Sequence, residues 1–139
     1  MPALVGHPNA LLKLSKTWWE AATVKGALFN GWTPDVDADL TYSQISAYEV
    51  SMTGYTAGGV TLANKLVELG SGGLAHYRAD HAVWAAIGSG TVSRFALLAD
   101  DGVNNWIVGH VDVSARQPDG GPYQVQASTE GWVVDSWEV

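Results

Sequence analysis

Three aspartates at alternate positions, Asp35, Asp37 and Asp39, lie in the run Thr33-Pro34-Asp35-Val36-Asp37-Ala38-Asp39. Calcium loops begin this way, with carboxylates at odd positions turned toward one ion. The match stops there. The sixth position, where such a loop needs glycine, is Leu40, and the twelfth, where a bidentate glutamate closes the shell, is Ser46. A solvated acidic loop tied by local side-chain-to-backbone bonds accounts for the same residues, so no metal is assigned. Among the histidines His7, His76, His81 and His110 there is no i,i+4 pair of the kind a helix uses to hold zinc. His76 and His81 lie near Asp80, the closest approach to an acid–base or metal cluster, but such trios arise by chance in domains of this size.

Nucleophile and phosphate chemistry find no better footing. Gly70-Ser71-Gly72 and Gly88-Ser89-Gly90 lack the Gly-x-Ser-x-Gly spacing of a nucleophile elbow and read as loops. The glycines at 54, 58 and 59 carry no lysine beside them, so they do not form a phosphate cradle. Glycosidic cleavage needs two carboxylates at a set separation in space, and nothing in the sequence singles out a pair. With no cysteine, thiolate ligands, disulfides and cysteine nucleophiles are excluded. The expectation is a protein that is not an enzyme and holds no cofactor.

The chain has 139 residues, 47% of them apolar, which suits one domain (residues 1–139) with a core of its own. Residues 1–8, ending in His7-Pro8, are left as a possible N-terminal arm, free or threaded under a neighbour. The net charge of −7, with seven basic residues scattered along the chain, gives no stripe for phosphates, so nucleic acid is not an expected partner. No apolar run is long enough to cross a bilayer, so no membrane is expected either. Seven tryptophans are the conspicuous excess. Tryptophan is enriched at protein interfaces, and Trp18, Trp19, Trp132 and Trp137 are the candidate interface residues.

The elements that must carry these residues are organised around a corner at residues 49–64. Gly54, Gly58 and Gly59 let the chain turn sharply twice, and Tyr55 can lay its ring on apolar neighbours while its hydroxyl reaches a backbone group. Glu49-Val50-Ser51, Gly54-Tyr55-Thr56-Ala57-Gly58-Gly59 and Leu62-Ala63-Asn64-Lys65 resemble the signature of a family of small virion proteins of tailed bacteriophages. In that family an aspartate-rich Thr-Pro loop precedes the signature and a Leu-Leu-Lys-Leu run lies further upstream, here Leu11-Leu12-Lys13-Leu14. Asp80-His81-Ala82-Val83-Trp84 and Thr91-Val92-Ser93-Arg94-Phe95-Ala96-Leu97-Leu98 match its downstream segments. The order holds from about residue 10 to residue 115. Met52 stands where the family usually has glycine, and the tail from Ala115 departs from the pattern.

The resemblance implies a virion structural protein, assembled in the bacterial cytoplasm. The expected role is a capsid decoration or cement protein bound to the major capsid protein and oligomeric on the particle. The alternative is a tail-associated structural or receptor- and carbohydrate-binding module that meets tail subunits.

Pattern places the elements. Residues 9–15 read as the start of a helix capped by Asn9 or as a short strand, and the resemblance favours strand. Trp18-Trp19, if extended, would send one ring inward and one outward. Residues 24–29 read as a strand ended by Asn30-Gly31, and residues 41–48 as two short helical turns. Residues 60–69 fit alternation and a helical face almost equally, and strand is chosen partly on the resemblance, with residues 74–78 returning. Residues 80–86 bend over the sheet with Trp84 inward. In residues 91–98, Phe95 and Leu97 lie on one face and Val92, Ala96 and Leu98 on the other, so both faces are covered. Residues 106–113 return with Ile107, Val111 and Val113 inward, Tyr123, Val125 and Ala127 alternate, and residues 131–139 are β-prone. The expected fold is all-β, an antiparallel β-sandwich (jelly-roll or Ig-like) of about seven to eight short strands with one short helix.

Overall fold

A computed structural model describes residues 4–11, 13–69, 74–128 and 131–136. The chain is mostly β, and every strand pairing in it is antiparallel. The central five-stranded sheet has the order β1 (Val5–Gly6), β8 (Asn105–Asp112), β7 (Arg94–Asp100), β2 (Thr23–Phe29), β3 (Val60–Thr61). A three-stranded sheet runs β10 (Val133–Ser136), β5 (Leu74–Arg78), β4 (Leu66–Leu69), and β6 (Ala82–Trp84) pairs with β9 (Tyr123–Val125). Of the segment 1–8 left as an arm, Val5 and Gly6 are the edge strand opposite His110 and Gly109, and His7 is fully buried.

Within β7 the two faces alternate as expected, but the strand begins at Arg94 rather than at 91, and Val92, expected beside Ala96 and Leu98, packs in the larger cluster because the chain before Arg94 is not extended in the sheet. Phe95, Leu97 and Ala99 enter one apolar cluster and Ala96 and Leu98 another, so the middle of the sheet is dry on both sides. The larger cluster lies between the central sheet and the two smaller ones; there Phe95 stacks on Trp132 at 5.3 Å and Trp19 meets Tyr77 edge-on at 5.7 Å. The smaller cluster joins Ala27, Phe29, Ala96, Leu98 and Ile107 to Trp32 and Ile45, which come from the long connection after β2. In β8 and at Val113 just after it, the three residues expected on one face are all buried but divided. Leu97 faces Gly109 while Leu98 faces Ile107, so Val108 is a bulge, and Ile107 falls in the smaller cluster while Val111 and Val113 join the larger.

Three short α-helices are present among the described residues where one was expected, and the first takes the place of the start of an expected strand. Residues 8–11 form α1 (Pro8–Leu11), begun by a proline whose missing N–H is no loss in a first turn. Leu11 is therefore helical, and Lys13 and Leu14 are in no strand. Trp18 and Trp19 lie in α2 (Lys16–Ala21), started by the Ser15 hydroxyl, which accepts from the Trp18 N–H at 3.1 Å, and braced by Lys16 and Glu20 one turn apart. The turns expected at 41–48 are α3 (Tyr42–Ile45) and a 3₁₀ turn, Ser46–Tyr48, with Gln44 Oε1 accepting from the Leu40 and Thr41 N–H groups. Residues 60–69 are two strands, because Asn64 adopts a left-handed φ of 56° between them. No described helix is long and apolar enough to cross a membrane.

Candidate functional site

The three candidate tryptophans among the described residues, Trp18, Trp19 and Trp132, do not act together. Trp19 is fully buried in the chain's own core, its Nε1–H donating to the Arg78 carbonyl at 3.1 Å. Trp132 is 6% exposed, with Nε1–H donating to the Asp80 carbonyl at 3.1 Å. An interface anchor must be reachable before docking, so these two are corrected to core residues. Helical geometry is the reason for Trp19: neighbours on a helix point about 100° apart rather than to opposite faces, and the buried side of α2 takes that ring. Trp137 lies outside the described residues. Trp18 remains, half-buried at the rim of the core.

What holds Trp18 is a carboxylate the sequence reading passed over. Asp101 Oδ2 accepts from Trp18 Nε1–H at 3.2 Å and from Trp106 Nε1–H at 3.1 Å, while its Oδ1 accepts from the Val103 and Asn104 N–H groups at 3.0 Å each. The backbone N–H groups of Asn104 and Val103, then the two indoles, hold the Asp101 carboxyl down to about 2. With four donors bound, this carboxylate is an orienting group rather than an acid or base. It pins two half-buried indoles at their edges, the Lys13 ammonium sits 4.5 Å from the Trp106 ring centre, and Val103 at the hairpin tip is 85% exposed. The arrangement holds two indole edges on one carboxylate, beside a lysine and an exposed apolar hairpin tip. Trp106 was missed because the fold brings it to the carboxylate that also holds Trp18, 88 residues away in the chain, and Val103 because it is the exposed tip of that same hairpin. The one available signal was an Asp-Gly turn, Asp101-Gly102, followed closely by a tryptophan.

The corner is a clamp. Glu49 accepts from the Tyr42 hydroxyl, from the Tyr55 hydroxyl at 2.5 Å and from the Gly58 N–H at 2.8 Å, and the Tyr55 oxygen in turn accepts from the Leu28 N–H at 2.9 Å. The backbone partner expected for Tyr55 is thus on β2, where neither β3 nor the bridge at Phe29 and Glu49 reaches the Leu28 N–H. Burial, then the bond to Glu49, pushes Tyr42 up to about 12 and raises Tyr55 well above the usual phenol range. At Gly54 and Gly59, φ is +81° and +87°, and a Cβ would overlap the carbonyls of Ala86 and Gly26 respectively.

The remaining candidates point apart. Asp35 Oδ1 accepts from the Asp37 and Ala38 N–H groups, and Asp39 Oδ2 from Trp32 Nε1–H and the Asp35 N–H, so the aspartate loop is tied to itself. His81 Nδ1 accepts from the Ala127 N–H at 2.9 Å, Asp80 Oδ2 from the Asn64 amide at 2.8 Å, and His76 Nδ1 meets the Arg78 guanidinium at 3.3 Å. Among the described residues no three such groups are placed to hold a metal. One cluster was not foreseen: His7 and His110, 103 residues apart, touch through their rings in the smaller core. No protein-family model, curated protein or solved structure matches the chain.

Proposed function

We propose that the chain is a non-enzymatic virion structural protein of a tailed phage, a decoration or cement protein that binds the major capsid protein on the outer head surface. In this reading the fold is a β-sandwich, with the five-stranded sheet as one layer and the three- and two-stranded sheets as the other. Copies of the chain oligomerise on the particle, and apolar surface buried across subunit boundaries stabilises capsomer contacts. The order of motifs from the Leu-Leu-Lys-Leu run to the strand at Arg94–Asp100 supports the family.

The observation that carries the mode of action is the surface at Trp18, Trp106 and Val103. Both indoles are fixed by one carboxylate before any partner arrives, so docking costs little side-chain entropy, and interfaces of this kind depend on a few such anchors. The same pinned rings favour one alternative, a tail-associated module that stacks them on a sugar. Sedimentation of the purified chain with phage heads lacking it separates the two. Binding to heads, weakened at least tenfold by Val103→Asp, is the expected result. A chain that ignores heads but is retained by host-surface glycan would overturn the decoration reading.

A further inference from the structure

We infer that the N-terminal segment, β1 with α1, is an acid-released latch on the β8 edge of the central sheet, held shut by the contact of two neutral histidines. His7 Nδ1 lies 2.9 Å from the Asp39 carbonyl oxygen, and a carbonyl only accepts, so that nitrogen carries the hydrogen. His7 Nε2 is then a lone pair, and His110 Nδ1, 2.8 Å away, donates to it. This leaves His110 Nε2 bare, in a side chain only 6% exposed.

Besides the histidine contact, the segment is held by a short strand pairing and by apolar packing. Strand β1 has two residue pairs with β8, the His7 N–H donates to the Val108 carbonyl at 3.0 Å, and Leu4 covers Gly109, where any Cβ would collide with it. Ala10 of α1 is buried in the larger cluster, on which Leu4 and Leu11 also pack.

Acid acts on this arrangement in two steps. A first proton must land on His110 Nε2, inside an aromatic pocket with Trp32 at 5.5 Å. A second, on His7 Nε2, would set N–H against N–H and cation against cation. The charged groups around the pair do not relieve this. Arg94 on β7 repels the cation and is itself 3.7 Å from Asp112 on β8. Asp39 attracts it, but its Oδ2 is already bound to Trp32 and to the Asp35 N–H. Tyr42 on α3, packed on the same cluster, is bonded to Glu49, and Lys13, just after α1, lies over Trp106. Burial lowers both imidazoles, His110 to about 4 from 6.5, with His7 next among its causes.

The sign follows. Opening lets both rings take protons in water, so the closed form loses ground as pH falls from 6.5 toward 4 and is fully held above that window. Opening also bares the β8 backbone, an unpaired sheet edge of the kind other strands add to.

Amide exchange by NMR on the full chain, corrected for the intrinsic pH effect, tests this. Protection of the His7 amide is expected to fall roughly a hundredfold between about pH 7 and about pH 4, while Ala27 and Ala96 at the sheet centre hold. His7 protection that stays constant, or falls only in step with Ala96, overturns the latch. His110→Gln keeps an amide donor without titrating and should remove most of the pH dependence; an unchanged fall in that variant also overturns it. Should His110→Gln not fold, the wild-type profile alone decides.

Discussion

The central sheet has two edges, and the chain closes them by opposite chemistry. At the β2–β3 edge an ionisable corner does it, with Glu49 gathering two phenols and an N–H while Tyr55 reaches in to satisfy Leu28. At the β8 edge two imidazoles, His7 and His110, touch as neutral groups. The corner keeps its tyrosines protonated, so its contribution is present below pH 10 and is lost as pH rises through about 12. The histidine edge behaves in reverse, losing its contribution on the acid side of 6.5. The two edges are therefore expected to weaken at opposite ends of the pH scale, the tyrosine corner in alkali and the histidine edge in acid.

The contrast is broken most severely at Glu49. Glu49→Ala strands two hydroxyls and the Gly58 N–H, and a loss of about 3–5 kcal/mol in urea unfolding is expected. Tyr55→Phe keeps the ring but leaves the Leu28 N–H unmet, for about 1–3 kcal/mol. Its alkaline loss of stability should shrink, since one of the two raised phenols is gone, whereas its acid limb should match wild type. Smallest is Trp18→Ala, under about 1 kcal/mol in stability because the ring is half-buried. Trp19→Ala, by contrast, empties the core at about 3–5 kcal/mol, so a double substitution of both tryptophans would report on folding rather than on docking.

Much of this was legible where the pattern is local and repeated. The alternation of Phe95, Ala96, Leu97 and Leu98 gave both faces of β7, and the need for glycine at 54 and 59 followed from the turn the chain makes there. Trp84 inward and the hairpin of β4 with β5 came from the same reasoning. Local pattern fails over short spans. Six residues of α2 are too few to show a helical period, and Ser15, the cap that starts it, was the better signal. The bulge at Val108 moves Ile107 to the other face with no mark in composition. Contacts across the whole chain, such as His7 with His110 or Trp18 with Asp101, arise only once the sheet order is known, and that order is not written in any window of the sequence.

The association surface is tested most directly by a reconstruction of the assembled phage particle with this chain located in it. In the proposed decoration role, the β7–β8 hairpin, with Trp18, Trp106 and Val103, is expected to lie against the major capsid protein at capsomer boundaries. Density for the chain with that hairpin facing open solvent, or particles that lack the chain altogether, would contradict it.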